Sequence, residues 1–423
     1  MTKNREFPLL TFPSCGNIPT KFIMIPTMRP LDDVFVVDLS RILSGPICTM
    51  MLADMGAEVI KIEPPPHGDD SRRWGPPFVG GISTYFHSIN RNKKSLGLNL
   101  RSEAGKKILW ELIGRADVLI ENFKPGILGR LGFGYDVVSA RRPGLIYCSI
   151  SGFGQTGPYS SRPGYDVVAQ GESGLMDLTG FPDGPPAKVG TSISDIVTGM
   201  YAAQGILLAL LARARNGKGQ WVDVSLLDST VSTLTYQASS YLMTGRTPSR
   251  MGTRHPSIVP YECFQVRDGF VNIGVTNQKQ WVNFCAVLQL NHLVADSRFA
   301  TTDARLTHYS ELKPILDKEL AKWSRAEILQ KLSEAEIPAG PINTVAEILN
   351  DPHIDAREMV RELTHPEYGP IRVLGLPIKM SGTPGIVEGA PPCFGEHNHV
   401  VLKKLGYSED QIRELGMDGT VVS

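Results

Sequence analysis

Short apolar segments alternate with helix-like segments from Val34 onward, and this alternation limits the possible folds more than any other feature of the sequence. Four apolar segments have the length and continuous apolar character of strands buried on both faces: residues 34–39, 59–63, 118–121 and 145–150. Helices are predicted between them at 48–55 and 102–114. Strands that alternate with helices form an open, mostly parallel sheet that binds ligands at the carboxyl ends of its strands. The sequence therefore predicts an α/β fold with a Rossmann-like large domain and a site in the turns after the strands.

A different pattern begins after a further predicted strand at 221–226. Residues 260–275 have the pattern of a β-hairpin, with Asp268 and Gly269 in the turn. Amphipathic helices are predicted next, at 279–288, 311–323 and 325–334. We therefore predict four parts: a tail at 1–30, a large α/β domain at 31–234, a smaller α+β domain at 235–335 and a return to the large domain at 336–423.

Charge and hydropathy argue against two classes of partner. The chain carries 43 basic and 43 acidic residues, so no excess charge favours nucleic acid or an anionic membrane. Its most apolar run, residues 193–214, is interrupted by polar residues and glycines, which indicates a buried helix rather than a membrane span.

His397 and His399 have no third ligand within reach in the sequence, and we expect no bound metal.

The first thirty residues are basic and show no folding pattern. Lys3, Arg5, Lys21 and Arg29 stand against one acid, Glu6. Such a segment is either a mitochondrial targeting peptide or a tail without regular structure. The expected location is accordingly the mitochondrial matrix or the cytoplasm.

Asp195 lies where a glycine-flanked segment, residues 190–194, turns into the long apolar helix. A carboxylate at this place rests in the positive field of the helix N-terminus, close to backbone N–H groups without partners inside the helix. Two interpretations follow from the residues alone. Asp195 either caps the helix, as aspartate often does, or carries chemistry in a site.

Basic residues are concentrated in the predicted loops. They include Arg72, Arg91, Arg101, Lys124 and Arg130. Singly they are solvated charges, but together at the strand ends of one sheet they suit a ligand with several phosphates. No G-x-G-x-x-G motif of dinucleotide-binding proteins follows the first predicted strand, and the glycine motifs of P-loop NTPases and of α/β-hydrolases are absent from the sequence.

Eight segments follow one another along the chain: residues 30–32, 38–46, 56–63, 90–95, 118–126, 132–135, 340–343 and 395–397. In this order they resemble the class III CoA-transferases, the formyl-CoA transferase family. The resemblance runs from about residue 30 to the end. It implies an interlocked homodimer whose substrates are CoA thioesters, with no permanently bound cofactor. Residues 68–72, 74–78 and 257–261 are similar to members that move CoA from succinyl-CoA to glutarate, hydroxymethylglutarate or itaconate.

The same resemblance assigns roles to individual residues. It makes Asp195 the nucleophile, which forms an acyl anhydride and then an aspartyl-CoA thioester. It implies contacts with CoA at Leu43, Ser44, Arg72, Leu98, Arg101, Asn122, Phe123, Lys124 and Arg130. Racemases of the family carry a catalytic histidine at the position of Tyr165, so tyrosine there favours transfer. An acyl-CoA racemase or isomerase and a non-catalytic CoA-binding protein are the alternatives.

A dicarboxylate acceptor has a second carboxylate that must be held away from the reacting one. Arginine suits this task because its planar fork matches a carboxylate. The candidates are Arg91, and Arg254 with His255 in the loop that replaces the polyglycine lid of formyl-CoA transferases. The sequence leaves the choice among the acceptors open.

Overall fold

The computed structural model describes residues 28–423, so the tail predicted at 1–30 lies almost wholly outside the described residues. The strands are β1 (Phe35–Asp38), β2 (Glu58–Glu63), β3 (Phe78–Val79), β4 (Ile82–Ser83), β5 (Lys93–Gly97), β6 (Val118–Glu121), β7 (Ile146–Ser151), β8 (Trp221–Ser225), β9 (Tyr261–Val266), β10 (Gly269–Gly274), β11 (Ala339–Pro341), β12 (Val360–His365) and β13 (Gly369–Leu374).

The α-helices of the described residues are α1 (Ser44–Asp54), α2 (Thr84–Ser88), α3 (Glu103–Arg115), α4 (Ile127–Arg130), α5 (Tyr135–Arg141), α6 (Asp166–Glu172), α7 (Leu175–Leu178), α8 (Ile193–Asn216), α9 (Leu226–Ser232), α10 (Thr235–Thr244), α11 (Gln278–Val287), α12 (His292–Ala295), α13 (Thr302–Thr307), α14 (Tyr309–Leu320), α15 (Arg325–Glu334), α16 (Val345–Leu349), α17 (Pro352–Ala356), α18 (Asn398–Leu405) and α19 (Glu409–Met417).

Six strands form one parallel sheet in the order β5-β2-β1-β6-β7-β8. This confirms the predicted open parallel sheet. Neighbouring residues of β1 point to opposite faces: Val37 packs in the core under α3, and Val36 packs in the core under α1 and α8. Burial on both faces explains why the strands appear in the sequence as continuous apolar runs.

Strand β5 was not predicted, because Lys93, Lys94 and Ser95 gave residues 91–94 the composition of a loop. The structure places Lys93 in the sheet with its ammonium group fully buried. That group donates to Pro46 O at 2.8 Å and to Asn90 Oδ1 at 2.9 Å, and it lies 3.4 Å from Asp38. These partners allow a lysine to be buried within a strand. The segment nevertheless lacks the continuous apolar run by which a buried strand is recognised in a sequence.

The predicted hairpin and the three predicted amphipathic helices of the middle region are confirmed. β9 and β10 pair antiparallel, β11 joins them, and α11, α14 and α15 match the helical predictions. Their side chains form a separate core around Trp281 and Phe284. At the C-terminal end, Val401, Leu402 and Val421 pack in the core of the parallel sheet instead.

Helix α8 was expected to be buried, but the described residues bury it on one face only. Ala202, Ala203 and Ile206 pack against the sheet, whereas Leu208 and Leu211 are more than half exposed. By length and composition alone, α8 is the one helix of residues 28–423 that is long and apolar enough to cross a membrane.

Candidate active site

A cavity of about 260 Å³ opens at the carboxyl ends of β1, β6 and β7, in the turns where a site was predicted. Its lining includes Arg41, Ile42, Ser44, Asn122, Phe123, Lys124, Ser151, Arg162, Tyr165 and Asp195. Five of the predicted side chains for CoA or substrate thus surround the predicted nucleophile: Ser44, Asn122, Phe123, Lys124 and Tyr165.

Asp195 lies in the first turn of α8, and another carboxylate caps that helix. Ser192, at the N-cap position, makes no side-chain capping hydrogen bond. The backbone N–H groups of Ser194 and Asp195 donate to Asp166 Oδ1, at 2.9 and 3.4 Å. Capping is therefore the role of Asp166, and the carboxylate of Asp195 faces the cavity.

The surroundings of Asp195 raise its pKa to about 7. Burial is the largest cause, the charge of Asp166 is the second, and a hydrogen bond with Ser44 opposes both. Asp166 is itself held by Gln170 Nε2 at 2.7 Å. A carboxyl group with a raised pKa in a cleft is typical of functional sites.

Ser44 reaches Asp195 because α1 and α8 pack very closely. A Cβ atom on Gly199 would lie 2.6 Å from Ser44 O and 2.2 Å from the Ile47 side chain. Only glycine permits this approach. α1 begins at Ser44, four residues before the predicted start, so the first turn of α1 borders the cavity.

Two turns of the site are joined through Asn122. Its side chain accepts from the Arg41 backbone N–H at 2.8 Å and donates to Arg41 O at 2.7 Å. The Arg41 guanidinium lies 5.4 Å from the centre of the Phe123 ring. The cavity therefore has an aromatic face and a cation side by side, suitable for a nucleotide base or a phosphate.

Three residues of the site were missed in the sequence analysis. Arg41 lies in the turn after the first strand, and this position alone could have indicated a site residue. Arg162 lines the cavity and packs on Phe153, 4.5 Å from the ring centre. Tyr85 hydrogen-bonds with Ser192, and burial together with the charge of Asp195 raises its pKa to about 12. For Arg162 and Tyr85 the sequence gave no such signal.

Several predicted CoA contacts lie outside this cavity. Leu43 is buried at the N-cap of α1, next to the lining residues. Arg101 and Arg130 are exposed, Arg101 just before α3 and Arg130 at the end of α4. The Arg130 side chain folds back towards Gly126, near the cavity edge formed by Lys124.

The structure does not support two of the predicted CoA contacts. Leu98 is fully buried in the core, where its side chain cannot touch a ligand. Arg72 forms two hydrogen bonds of 2.7 Å with Glu63 and stacks 3.7 Å from the centre of the Phe86 ring. It lines a different cavity, of about 300 Å³. Its guanidinium is thus engaged in a structural ion pair.

The predicted role of Arg91 in substrate binding is not supported either. Its guanidinium is buried and forms two hydrogen bonds with Asp54, at 2.6 and 2.9 Å. A third bond of 2.9 Å reaches Leu374 O. Because these partners occupy the planar fork, little of it is left for a substrate carboxylate.

Arg254 and His255 lie on the loop before β9 and do not line the cavity of Asp195 within one chain. The Arg254 guanidinium stacks 4.1 Å from the centre of the Tyr309 ring. His255 Nδ1 accepts from Ser257 N–H at 3.0 Å. Within residues 28–423, no group of three or more His, Cys, Asp or Glu side chains is arranged to hold a metal ion.

Comparison with known proteins gives one consistent result. The family described as CoA-transferase family III matches residues 31–398. Succinyl-CoA:glutarate CoA-transferase of Mus musculus is 42% identical over 396 residues, which cover 93% of this chain and 91% of the relative. Acetyl-CoA:oxalate CoA-transferase of Acetobacter aceti is 43% identical over 365 residues, 86% of this chain and 92% of the relative.

A solved structure shows the same likeness. The crystal structure of a CAIB/BAIF family protein from Brucella suis superposes with a TM-score of 0.81 at 42% sequence identity. It covers 89% of this chain and 99% of its own. The match extends over the parallel sheet, the cavity and the middle region together, and we conclude that this chain is an enzyme that belongs to CoA-transferase family III.

Proposed function

We propose that this enzyme moves CoA from succinyl-CoA to a short dicarboxylate, with Asp195 as the covalent carrier. The observation that carries the proposal is the Asp195 carboxylate, which lines the cavity while Asp166 caps the helix. The mouse relative is named for succinyl-CoA and glutarate, and the Acetobacter relative for acetyl-CoA and oxalate. Glutarate, hydroxymethylglutarate and itaconate are the acceptors that we propose.

The first half of the reaction transfers CoA to the enzyme. A carboxylate oxygen of Asp195 attacks the thioester carbonyl carbon, the C–S bond breaks, and CoA leaves as the thiolate. The product is a mixed anhydride between succinate and Asp195. The thiolate then attacks the Asp195 carbonyl carbon, the anhydride C–O bond breaks, and succinate leaves, so that CoA is bound to Asp195 as a thioester.

The second half runs the same steps in reverse with the acceptor. The acceptor carboxylate attacks the Asp195 thioester, releases the CoA thiolate and forms a new anhydride. The thiolate attacks the acceptor carbonyl carbon and regenerates the Asp195 carboxylate. Each step exchanges one activated acyl group for another of similar energy, which is the condition under which covalent catalysis is effective. The proposed reaction needs no net proton transfer and no permanently bound cofactor.

The residues around Asp195 fit the binding of CoA. Arg41, Lys124 and Arg162 provide three cations on the cavity wall, and the Phe123 ring provides a flat apolar surface. We assign the CoA thioester to this wall, with Arg130 and Arg101 towards the outer phosphates. The backbone N–H groups of Ser194 and Asp195 are occupied by Asp166, so they are not free to stabilise an oxyanion.

We propose further that the enzyme works as the interlocked homodimer of its family. The apolar residues Leu208 and Leu211 of α8 and Leu242 and Met243 of α10 are 53–86% exposed in the single chain. Exposed apolar side chains on this scale, in two helices of one chain, are typical of protein interfaces. Sedimentation of the purified protein at micromolar concentration measures the dimer directly, and a monomer would contradict it.

Trapping of the intermediate tests the proposed function. Wild-type enzyme incubated with succinyl-CoA and hydroxylamine should form a hydroxamate at Asp195, which peptide mass spectrometry locates. The Asp195→Asn variant is the control and should give no adduct at this position. An adduct at another carboxylate, or turnover without any adduct, would contradict the assignment.

A further inference from the structure

Buried groups hold both ends of the turn between β1 and α1, residues 40–42. Ser40 O, at its start, accepts a hydrogen bond from Lys61 Nζ at 2.8 Å. The backbone N–H of Ile42, at its end, donates to both oxygens of Asp69, each at 3.2 Å. With the two bonds between Asn122 and the middle residue, the backbone of the turn is fixed along its whole length.

Lys61 and Asp69 are also partners of each other. Lys61 Nζ lies 2.8 Å from Asp69 Oδ2, and both side chains are fully buried. Burial alone would raise the pKa of Asp69, but the Lys61 ammonium lowers it below its ordinary value. Asp69 accepts two further hydrogen bonds from Ser71, at 2.9 and 2.8 Å. The pair is therefore charged and well bonded, and neither side chain lines the cavity of Asp195.

Ile42 needs such support because its φ angle is +72°. A β-branched residue in the left-handed region is a conformational outlier, which persists only where the surrounding structure enforces it. Ile42 lines the cavity, and the chain enters α1 two residues later at Ser44. The conformation of the turn consequently decides where Ser44 stands relative to Asp195.

We propose that Lys61 and Asp69 are positioning residues for CoA transfer, whose ion pair holds the turn at 40–42 so that Ser44 lies beside Asp195. This inference rests on the proposed role of Asp195. Neither side chain touches the reacting atoms. A misplacement of about 1 Å within an active site, caused by a change far from the chemistry, is enough to cost roughly a hundredfold in rate.

The test replaces the pair by apolar side chains in the variant Lys61→Met/Asp69→Leu. Such a replacement of a buried ion pair is often neutral for stability, so it separates folding from positioning. We expect kcat to fall by about ten- to a hundredfold, while the KM for succinyl-CoA changes less than about twofold. A melting temperature close to that of the wild type should accompany this loss.

The matched control is an ion pair at the start of β1, the strand that leads into the turn at 40–42. Arg213 lies 2.9 Å from Asp117, and Asp117 accepts from the backbone N–H of Phe35 at 2.9 Å, at the start of β1. The variant Arg213→Met/Asp117→Leu removes the same kinds of contact far from the turn. It should keep the wild-type kcat even if its melting temperature falls.

The single variant Asp69→Asn is the second test, with its melting temperature measured beside the kinetics, because it leaves the buried Lys61 ammonium without its charged partner. It removes the charge but keeps an oxygen that can accept from Ile42. A lower kcat with an unchanged KM for succinyl-CoA supports positioning, and wild-type kcat in either Asp69 variant overturns it. Hydroxylamine trapping separates the two proposals. Absence of an adduct at Asp195 in the wild type would contradict the proposed function. An adduct in the wild type together with a normal kcat in the variants would contradict the positioning role alone.

Discussion

Asp166 Oδ1 accepts a hydrogen bond from the backbone N–H of Asp195 at 3.4 Å. The same oxygen accepts a second one from the backbone N–H of Ser194 at 2.9 Å. One aspartate thereby satisfies the start of α8, while the other lines the cavity. This arrangement explains how a carboxyl group in the first turn of a helix can have a raised pKa. The positive end of the helix already has its counter-charge, so Asp195 experiences burial and a like charge.

Substitution of Asp195 by alanine should abolish transfer and leave the fold nearly as stable. The helix keeps its cap at Asp166, so the loss of stability should be below about 1 kcal/mol. Asp166→Ala should show the opposite balance, with a loss of about 1 kcal/mol or more from the missing cap. Thermal melts and steady-state rates of both variants check this. Near-normal transfer by Asp195→Ala would remove its covalent role.

The pH dependence should report the influence of Asp166 on Asp195. Asp195 attacks as the carboxylate, so kcat/KM should rise with pH and level off above a pKa of about 7. In Asp166→Asn the neighbouring negative charge is gone, so this pKa should fall and the rise should move to lower pH. Burial, the larger cause, remains and should keep the pKa above its ordinary value. A profile that does not move would show that the two carboxylates are not coupled.

Arg91→Met should destabilise the protein rather than alter its choice of acceptor. The substitution leaves the buried carboxylate of Asp54 without its ion-pair partner, which costs about 3–5 kcal/mol. The double variant Arg91→Met/Asp54→Leu removes both charges and should recover most of this loss. Denaturant unfolding measures both. A selective loss of glutarate as acceptor with unchanged stability would instead restore Arg91 as a substrate-binding residue.

Lys124→Gln should raise the KM for every CoA donor by a similar factor. Lys124 is exposed at the cavity edge, where a phosphate contact does not sense the acyl group. Added salt should reduce the difference from the wild type, since it screens the interaction. Lys331→Gln, at an exposed position of the middle region, is the control and should change nothing. A change in preference between acetyl-CoA and succinyl-CoA would rule out a phosphate contact.

The parallel sheet could be predicted because its strands are buried on both faces and thus appear as unbroken apolar runs. β5 could not, since the buried ammonium of Lys93 is acceptable only through partners at Asp38, Pro46 and Asn90. The sequence shows the polar residue and conceals the contacts that satisfy it.

The same limit applies to the candidate site. The local pattern at the helix start left Asp195 open between a cap and a site residue, and the family resemblance made it the nucleophile; Asp166, which caps the helix, lies 29 residues earlier. For Arg91 the sequence conceals its partner in the same way, since Asp54 is 37 residues away. Charges in loops suggest ligands, and only tertiary contacts show which of them are already paired.

Arg254 remains the candidate for the second carboxylate of the acceptor. Its guanidinium stacks on Tyr309, and its Nε is buried without a hydrogen-bond partner within residues 28–423. As the clamp for the second carboxylate, Arg254 would be required by a dicarboxylate alone, so Arg254→Met should raise the KM for glutarate by about tenfold or more and leave a monocarboxylate of similar length unaffected. Arg267→Met is the matched control, because Arg267 is an exposed arginine of the same region paired with Glu327 at 3.2 Å. Equal losses with both acceptors would mean that Arg254 serves only to pack its loop against Tyr309.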